Sequence, residues 1–436
     1  MEPVSIVWHR ADLRVHDHPA LCKALEHGPV VGLVLLDAQL APSWDRRRAW
    51  INANVRELRA EYESRGGALL VRVGDAASAL PGLHAELARH APVMGVHALR
   101  SALPALRARD AAVEAALPVP FHWHDGTHVS APGSVRAKNG AGYRVHAPYL
   151  AAWRAAGAPE PCDAPMRIIS PDLADAECGD IPDIQGDIEM PAAGETAALR
   201  ALRDFTDRRM DAYADARDRL DGAGSSRLSC WISIGALSAR TAAAVAWDRR
   251  GPGAAKWLAE IAWRDFLADM VHHRPSLLKE PVDERWNAFP WNDDAAALVA
   301  WREGATGIPA VDAAMRELRA TGWISNRARM VAAQFLTKHL RVHWMEGARV
   351  FEEWLLDADA ASNAGNWQWA AGLGIDNAPY FRVFNPVTQG KEHDPDGSWL
   401  RRWVPESNGS PAAMPDAIVD LARARRDYLA DARELA

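Results

Sequence analysis

The sequence predicts an α/β first domain with a doubly wound, five-stranded parallel sheet, joined by a long loop to an all-α second domain. Three observations predict this fold. Short apolar runs alternate with helical patterns in residues 1–130, and proline, glycine, alanine and aspartate dominate residues 131–195. Helical periodicity without convincing strands then continues through residues 196–436. A chain of 436 residues is also long enough for two to three domains.

The first domain alternates strands with helices. We predict strands at Ser5–Trp8, Val30–Leu36, Ala68–Val73, Val93–Val96 and Val119–Trp123. The helices between them are predicted at Asp45–Ser64, Asp75–His90 and Leu103–Leu117. Because strands buried on both faces are unbroken apolar runs, this order predicts a parallel sheet, which binds ligands at the carboxyl ends of its strands. "WHRADLR" replaces a G-x-G-x-x-G after the first strand, so a standard dinucleotide site is not expected there.

The segment 131–195 differs in composition from both of its neighbours. It contains "GAPEPCDAP" and "DIPDIQGDIEMPAAGE", in which proline, glycine and aspartate are frequent. This composition predicts a long connector packed on the surface with little regular structure. The sequence contains no visible internal repeat.

Composition limits the class of protein. Hydrophobic residues make up 49% and charged residues 25%, as in an ordinary globular protein. The net charge of −7 argues against a polybasic protein that coats nucleic acid but allows a local basic patch. Cys22, Cys162, Cys178 and Cys230 are widely spaced, which predicts no metal site, no disulfide framework and a reducing compartment. With no signal-like N-terminus and no apolar run of about 18 residues, we expect a soluble cytoplasmic protein.

Tryptophan is unusually frequent. There are 19 tryptophans, against 6 tyrosines and 8 phenylalanines. Large aromatic side chains mostly fill cores, so we expect about two thirds of the tryptophans to be core residues. The others are candidates for stacking on a planar ligand or for carrying electrons.

Two segments of the second domain leave two interpretations open. In "SSRLSCWISIGALSAR", three serines surround Arg227, which suits a phosphate group and a plain helix N-cap equally. In "WLAEIAWRDF", Glu260 lies among tryptophans one helical turn before Arg264. For this second stretch alone, an i,i+4 ion pair between these two residues is favoured over a ligand contact.

Two further segments are equally ambiguous by themselves. In "TGWISNRARMVAAQFLTKHL", Asn326, Arg329 and Met330 share one helical face, which suits a ligand or an edge position that reaches water. Downstream, Asp357 and Asp359 are followed by an amide, a set that suits a metal ion, acid–base chemistry, a ligand's polar edge or a helix cap. A metal is the weakest of these, because no histidine or third acid is near in sequence.

Taken together and in this order, the motifs resemble those of the cryptochrome/photolyase family, specifically its class I cyclobutane pyrimidine dimer (CPD) photolyases. "VWHRADLRVHDHPAL" resembles the family's opening segment, and the segments above, with "GNWQWAAGLGIDNAPYFRVFNP", resemble its FAD and lesion signatures. The resemblance covers nearly the whole chain. It implies a lyase that uses blue light to repair pyrimidine dimers, by electron transfer from excited reduced FAD to a flipped-out dimer. The alternative is a cryptochrome-type photoreceptor without repair activity.

The resemblance also assigns cofactor-binding residues. Those implied to hold FAD are Tyr213, Ser225, Ser226, Arg227, Leu228, Ser229, Trp257, Arg264, Asn326, Arg329, Asp357, Asp359 and Asn363. Within this set, Arg329 and Asp357 would form a salt bridge beside the isoalloxazine, Asp359 would contact the ring edge, and Asn363 would face flavin N5. An amide both donates and accepts hydrogen bonds, and asparagine at this position is typical of repair enzymes, whereas plant cryptochromes have aspartate.

The resemblance assigns the catalytic and lesion residues in the same way. The residues implied to bind the lesion or DNA are Glu260, Trp263, Asn326, Arg327, Met330, Trp369 and Arg382, with Lys391, Arg401 and Arg402 as further phosphate contacts. Glu260 would bond the dimer's carbonyl edge, and Trp291, Trp344 and Trp367 would carry electrons from the surface to the flavin. The (6-4) photolyases have histidines where Asn326 and Met330 stand, which argues against (6-4) repair.

An antenna chromophore and the partners complete the expectations. Many family members bind folate through a glutamate, but Leu103 in "RSALPALRARD" stands at the matching position. Deazaflavin or FMN is therefore favoured over folate, and an empty antenna site is the third option. UV-damaged DNA is the expected partner of a monomeric protein that does not contact membranes.

Overall fold

The computed structural model describes residues 2–37, 45–157, 160–172, 178–408 and 415–435. Within them, one sheet is built from β1 (Val4–His9), β2 (Val30–Leu36), β3 (Leu69–Val73), β4 (Val93–Leu99) and β5 (Phe121–His124). Its order is β3-β2-β1-β4-β5, and all neighbouring strands are parallel. The predicted five-stranded sheet is confirmed, with small shifts at the strand ends. The carboxyl ends of β1 and β4 flank the switch point at which such sheets bind ligands.

Four helices accompany the sheet: α1 (Pro19–Leu25), α2 (Asp45–Ser64), α3 (Ala76–Leu87) and α4 (Pro104–Ala116). α2 has the predicted bounds, and α3 and α4 are slightly shorter than predicted. α1 is absent from the sequence prediction because seven residues are too few to show a helical period. Its start is set locally, by a proline at the first turn and by the ring of His18, which accepts the Leu21 N–H.

The connector contains α5 (His146–Ala156), so the prediction of little regular structure is wrong for this part. Tyr149 and Trp153 are buried one turn apart on its inner face. They pack toward a long helix at Pro252–His273, where Trp153 donates a hydrogen bond to Asp265 (2.9 Å). The sequence prediction misses this helix because its apolar pattern is short and the surrounding segment is rich in proline and glycine. Elsewhere in the described connector there is no further helix or strand.

The second domain is helical, as predicted. Its described α-helices are α6 (Glu195–Arg208), α7 (Tyr213–Ala216), α8 (Ser229–Ser233), α9 (Ala239–Trp247), α10 (Pro252–His273), α11 (Ala295–Glu303), α12 (Pro309–Thr321), α13 (Asn326–Gln334), α14 (Trp344–Trp354), α15 (Ala360–Ala371), α16 (Pro386–His393), α17 (Ser398–Trp403) and α18 (Leu421–Leu435). A π-helical turn, Phe335–His339, extends α13. Among the described residues, no helix has the length and apolar character needed to cross a membrane.

One hydrophobic core joins the two domains, and a second lies inside the helical domain. In the shared core, Trp50 of α2 meets Trp231 of α8 edge-on at 6.1 Å between ring centroids and donates to the Cys230 carbonyl (3.4 Å). The second core surrounds Trp344 and Trp367. α10 contributes to the shared core and α15 to both cores, and these two helices carry much of the candidate site.

The segment after β1 brings His9, Asp12 and His18 together, with potential ligand atoms within 4.8 Å of one another. Their ring nitrogens are already engaged. His9 bonds the Asp12 carbonyl (3.1 Å) and the Tyr62 hydroxyl (2.6 Å), and His18 bonds the Asp12 carboxylate (3.1 Å) and the Leu21 N–H (3.0 Å). Burial lowers the pKa of His9 to about 3, so its ring is neutral. We interpret this group as a buried hydrogen-bond network and not as a metal site.

The same segment ties the two domains together. Arg14 is 1% exposed and donates to the carbonyl oxygens of Gly126 (2.9 Å) and Gly235 (3.0 Å). Gly235 has φ of 68°, and a Cβ there would lie 2.1 Å from the Ala11 carbonyl oxygen. Only glycine therefore permits this close approach between the loop after β1 and the helical domain.

The burial of Glu195, the first residue of α6, leads us to expect that stability depends on pH. Its carboxylate accepts the N–H groups of Val15 (2.9 Å) and His16 (3.0 Å). Burial raises the pKa of Glu195 to about 7, although these bonds oppose the rise. A raised carboxyl pKa contributes stability below the unfolded-state value, 4.5, and this contribution is lost as pH rises through about 7.

We therefore expect the melting temperature of wild type, relative to Glu195→Gln, to fall between about pH 5 and about pH 8. The glutamine keeps an acceptor but cannot ionise. Calorimetry of both proteins at both pH values measures the difference. A difference that does not change with pH would contradict this role for Glu195.

Candidate active site

Glu260 lies on α10 and is held by two cations. Its carboxylate pairs with Arg217 of the loop after α7 and with Lys256 one turn earlier (2.9 Å). Arg264 instead donates to the Thr127 carbonyl (2.8 Å). The i,i+4 pair between Glu260 and Arg264 is therefore wrong. The sequence prediction omits Arg217, which is 43 residues from Glu260, because no local spacing connects the two.

The network around Glu260 continues to Arg327. Arg217 lies 3.6 Å from Asp218, and Asp218 pairs with Arg327 (2.7 Å), which also donates to Gln389 (3.1 Å). Burial would raise the pKa of Asp218, but the Arg327 hydrogen bond and charge hold it lowered. A predicted phosphate contact, Arg327, thus has an internal counterion, and any phosphate would compete with Asp218 for it.

Trp263 stacks on a residue that the sequence prediction omits. The ring of His146, at the start of α5, lies parallel to Trp263 with 4.0 Å between centroids and 7° between planes. The His146 side chain is buried, and its Nε2 has no hydrogen-bond partner among the described residues. Burial lowers the pKa of His146, so the neutral ring packs on the indole. The connector helix therefore fixes the plane of Trp263.

The side chains of α13 that the sequence assigns to a ligand site point in two directions. The Asn326 amide lies 3.7 Å from the Met330 sulfur, on the exposed side of the helix. Arg329 turns away from them and pairs with Asp357 (2.8 Å), while its Nε donates to the Ile324 carbonyl (3.1 Å). The structure thus contains the ion pair between Arg329 and Asp357, and it separates Arg329 from the face that Asn326 and Met330 share.

Three polar side chains on and before α15 have unused hydrogen-bonding atoms or line a cavity. Asp357 has one carboxylate oxygen, Oδ1, that is buried and unpaired among the described residues. Asp359 caps α15 by accepting the Ser362 N–H (2.8 Å), so the helix-cap interpretation is correct for one of its oxygens. The Asn363 amide nitrogen donates to the Ala348 carbonyl (2.9 Å), which leaves its amide oxygen as the free end.

The charge of Asp359 is supported from α10. Burial would raise the pKa of Asp359, but Arg264 and the Ser362 hydrogen bonds hold it below its usual value. The carboxylate is therefore ionised and prepared to accept a hydrogen bond from a ligand. Arg264 itself has a buried Nε without a partner in the described part of the chain.

The serine-rich turn precedes α8. Arg227 has φ of 58°, and its guanidinium lies 4.5 Å from the Trp323 ring centroid. The Ser225 and Ser226 hydroxyls accept main-chain N–H groups within the turn, and α8 begins without a side-chain cap. The N-cap interpretation is therefore wrong for these serines. The hydroxyl of Ser229, the first residue of α8, accepts the Trp323 indole N–H (3.3 Å).

An aromatic cluster lies beside this turn. Trp257 of α10 and Tyr213 of α7 meet edge-on at 5.7 Å, and both contact Phe205. Trp257 is 4% exposed and donates to the Ala242 carbonyl (2.7 Å). Burial raises the pKa of Tyr213, and the Glu260 carboxylate adds to the rise. These two predicted cofactor residues are thus rigid, apolar and adjacent to the Glu260 network.

Trp367 and Trp369 lie on different sides of α15, as expected for separate roles. Trp367 is buried in the core inside the helical domain, and Trp369 packs against the shared core. A Cβ on Gly347 would lie 2.1 Å from the Trp367 ring, so Trp367 lies against α14 one turn from Trp344. The ring of His343 contacts both Trp344 (5.9 Å) and Trp291 (5.2 Å). This series leads from the interior to Trp291, which is partly exposed.

The loop that carries Arg382 is exposed but anchored from below. Lys338, in the π-helical turn, donates to the Arg382 carbonyl (2.9 Å) and the Tyr380 carbonyl (3.2 Å). The neighbouring Phe384 N–H donates to Gln334 (3.0 Å). Burial lowers the pKa of Lys338 to about 7, and Arg382 adds to this. The predicted Arg382 side chain thus extends to solvent from a fixed main chain.

A cavity of about 1350 Å³ connects both domains. On the helical side it is lined by Arg264, Asp359 and Asn363, and on the sheet side by Arg10 and Leu103 near the carboxyl ends of the strands. Three of the predicted cofactor residues line this cavity: Arg264 on α10, Asp359 at the N-cap of α15 and Asn363 on α15. It also reaches the switch point of the sheet, where a second ligand is expected in this fold.

The residues present fit the FAD that the motifs imply. The buried, unpaired Oδ1 of Asp357 and Nε of Arg264 offer one acceptor and one donor to a bound ligand, and Asn363, which lines the cavity, adds its amide oxygen as a second acceptor. Buried polar atoms without partners are rare in folded proteins, so such a set marks a place where a polar ligand belongs. The serine turn supplies hydroxyl groups and a guanidinium suited to phosphates.

Comparison with known proteins identifies the family. Residues 5–166 match the family model described as DNA photolyase, and residues 257–432 match the FAD binding domain of DNA photolyase. A deoxyribodipyrimidine photo-lyase of Thermus thermophilus is 50% identical over 432 residues, which cover 99% of both chains. That of Escherichia coli is 35% identical and covers 94% of this chain and 90% of its own.

Solved structures agree with this result. A bacterial class III photolyase from Agrobacterium tumefaciens has a TM-score of 0.90 at 31% identity and covers 100% of this chain and 98% of its own. A photolyase from Sulfolobus tokodaii, solved with two FAD molecules, has a TM-score of 0.84 at 25% identity and covers 99% of this chain and 100% of its own. From both family models and from relatives matched over nearly their full length, the chain belongs to the photolyase/cryptochrome family.

Proposed function

We propose that this protein is a deoxyribodipyrimidine photo-lyase that repairs cyclobutane pyrimidine dimers in DNA with blue light. One observation carries the proposal: α10, with Glu260 and Trp263, packs directly against α15, with Asn363 and Trp369. The residues that the motifs assign to the lesion thus lie next to residues that they assign to the flavin. Relatives that bear the name deoxyribodipyrimidine photo-lyase at 50% identity support the same activity.

FAD, when bound in its reduced form, supplies the light-driven electron that opens the cyclobutane ring and takes the electron back afterwards. The protein's own residues would hold and orient this group. Asp359 and Asn363 would contact its ring edge, the ion pair of Arg329 and Asp357 would lie beside it, and the serine turn would bind its phosphates. The lesion must leave the duplex, as it does in photolyases generally, and flipping costs least for a damaged, poorly stacked base.

The paired side chains of Glu260 and Arg217 would offer the lesion a hydrogen-bond acceptor next to hydrogen-bond donors. The Glu260 carboxylate already accepts from Arg217 and Lys256, and its oxygens would also accept from a pyrimidine N–H. Arg217 beside it supplies donors and positive charge for a neighbouring carbonyl oxygen that gains negative charge during repair. The two side chains together therefore match the alternating N–H and C=O edge of a pyrimidine. Trp263 and Trp369 would pack on the rings.

Two finer assignments belong to this proposal. Asn326 and Met330 occupy the exposed face of α13 without a histidine, which supports pyrimidine dimers over (6-4) products. Assignment to class I rests on the motifs quoted above, since the named relatives carry no class and one similar structure is a class III photolyase. The second candidate function is a photoreceptor, favoured by the likeness to a Synechocystis cryptochrome with a TM-score of 0.89 at 25% identity.

An antenna chromophore in the cavity at the carboxyl ends of the strands is a further part of the proposal. Leu103 lines this cavity and offers no carboxylate for folate. Arg10 and Trp8 line it too, with the Arg10 guanidinium 5.0 Å from the Trp8 ring centroid, and an aromatic and cationic wall of this kind suits a flavin or deazaflavin. The division into residues 1–130, 131–195 and 196–436, the monomeric state and the cytoplasmic location are proposed with it.

Asp357→Ala is expected to weaken the retention of FAD. The Asp357 side chain is 3% exposed, and its removal leaves Arg329 without a counterion and takes away an acceptor from the ligand. Breaking a buried ion pair costs about 3–5 kcal/mol, reduced here because Arg329 is 25% exposed. The purified variant should hold far less than one equivalent of flavin by absorbance. The control is Asp431→Ala, which removes a residue of α18 that forms an ion pair with Arg341. Equal flavin content in the two variants would refute the assignment of Asp357 to the FAD site.

The proposed activity is tested by light-dependent repair. The flavin-bound, reduced protein is mixed with an oligonucleotide that carries one thymine dimer, under blue light or in darkness. Restoration of the thymines only in light supports the proposal. Bound flavin without repair would favour the photoreceptor, and the lesion contacts proposed for Glu260 and Trp263 would be wrong.

A further inference from the structure

Two cysteine thiols from distant parts of the chain lie in contact. Cys22 is on α1, Cys162 is in the connector, and their sulfur atoms are 3.4 Å apart. They are separated by 140 positions, so sequence spacing gives no sign of the pair. Both residues are partly exposed and both are free thiols, as are Cys178 and Cys230.

The main chain fixes this contact at the junction of the domains. The Asp17 N–H donates to the Cys162 carbonyl (2.8 Å), and the Cys162 N–H donates to the Asp17 carboxylate (3.1 Å). The same carboxylate is held by the helical domain, through Arg240 (3.1 Å) and the Ser238 hydroxyl. The connector, the loop before α1 and the start of α9 therefore meet at Asp17, directly beside the two thiols.

The two sulfurs have different chemistry. The hydrogen bond from Cys22 lowers the pKa of Cys162 to about 7, against burial and the charge of Asp17. The same bond raises the pKa of Cys22. We assign the attack on an electrophile to Cys162 and the resolution of the product to Cys22, an order that the single variants below test.

We propose that Cys22 and Cys162 are a redox modification site, which a small-molecule disulfide such as glutathione disulfide oxidises reversibly to an intramolecular disulfide. The Cys162 thiolate attacks one sulfur of the small disulfide, and the other sulfur leaves as a thiolate. Cys22 then gives its proton to solvent and attacks the Cys162 sulfur, which breaks the mixed disulfide and releases the second small thiol. In sum, two protein thiols are oxidised and one small disulfide is reduced to two thiols.

The geometry requires little movement. An S–S bond is ~2.05 Å long, so the sulfurs approach by roughly 1.4 Å, which side-chain rotation of two partly exposed residues permits. The new bond would join α1 to the connector beside Asp17, whose carboxylate binds Arg240 and Ser238 of the helical domain. Cys178 is exposed without a thiol partner in the described structure, and Cys230 is buried, so neither offers an equivalent pair.

The experiment uses the flavin-bound protein equilibrated in glutathione buffers of increasing oxidised fraction, followed by acid quenching and alkylation. Wild type is expected to lose two of its four thiols and two hydrogen atoms of mass, with the Cys22 and Cys162 peptides joined. Dithiothreitol should restore all four thiols. Survival of four thiols at every ratio, or a bond that uses Cys178 or Cys230, would overturn the proposal.

Single variants test the order of attack. Cys22→Ser should stop at a mixed disulfide between Cys162 and glutathione, whereas Cys162→Ser should leave Cys22 as a thiol. Cys178→Ser, a substitution at an exposed position, should form the internal disulfide as wild type does. If Cys22→Ser and Cys162→Ser both form a mixed disulfide to the same extent, the proposed roles of the two sulfurs are wrong.

Discussion

Glu260→Ala is expected to lower the quantum yield of dimer repair by about fivefold to tenfold, because a hydrogen bond to a charged group contributes about 1.5–3 kcal/mol and a yield falls by less than the rate that determines it. Glu260 would contact the dimer only after the dimer has flipped out of the duplex. Affinity for damaged DNA depends mainly on many phosphate contacts, so it should change much less. Repair yield at known photon dose and DNA binding in darkness measure the two effects separately.

The same substitution has a structural effect that the controls must separate. Arg217 is 9% exposed in its side chain and loses its carboxylate partner in Glu260→Ala. Glu260→Gln keeps an acceptor of the same shape without the charge, and we expect it to retain part of the yield. Glu63→Gln, on the exposed face of α2, should behave as wild type. A Glu260→Ala protein with normal flavin content and an unchanged quantum yield would remove Glu260 from the mechanism.

The sheet and α2 could be predicted from the sequence because their signals are local. Strands buried on both faces are continuous apolar runs, as in Val30–Leu36, and the 20 residues of α2 repeat their apolar positions over several turns. α5 has no such local signal, because it is only eleven residues long and lies within a segment rich in proline and glycine. Its burial depends on contacts with α10, which no short window contains.

The candidate site shows the same limit. Asp357, Asp359 and Asn363 lie within seven positions, so the sequence indicates a polar cluster, and the buried, unpaired Oδ1 of Asp357 agrees with a bound ligand. The partners of Glu260 and Trp263 come from elsewhere in the chain. Arg217 reaches Glu260 from a different helix-loop unit, and His146 reaches Trp263 from the connector. Side-chain pairs of this kind are consequences of the tertiary fold and have no local pattern.

Trp367→Phe is expected to abolish most photoreduction of oxidised flavin while leaving repair by chemically reduced protein unchanged. Trp367 and Trp344 are both buried, and the indole N–H of each has no hydrogen-bond partner among the described residues. A phenylalanine therefore removes no hydrogen bond, and the fold should tolerate it. Among the described residues, neither inner tryptophan therefore has an acceptor for its proton after losing an electron. Partly exposed Trp291 can release a proton to water, which favours outward movement of the positive charge.

Trp301→Phe is the matched control for this prediction. The Trp301 ring also contacts Trp367, at 6.1 Å between centroids, but it is fully buried and donates to the Ala332 carbonyl (3.0 Å). Its replacement removes a hydrogen bond and so disturbs the core more than Trp367→Phe does. If a route through Trp344 and Trp291 carries the electrons, Trp301→Phe should keep fast photoreduction in spite of this cost. Equal loss in both variants would show that core packing, and not a directed series of tryptophans, controls the reaction.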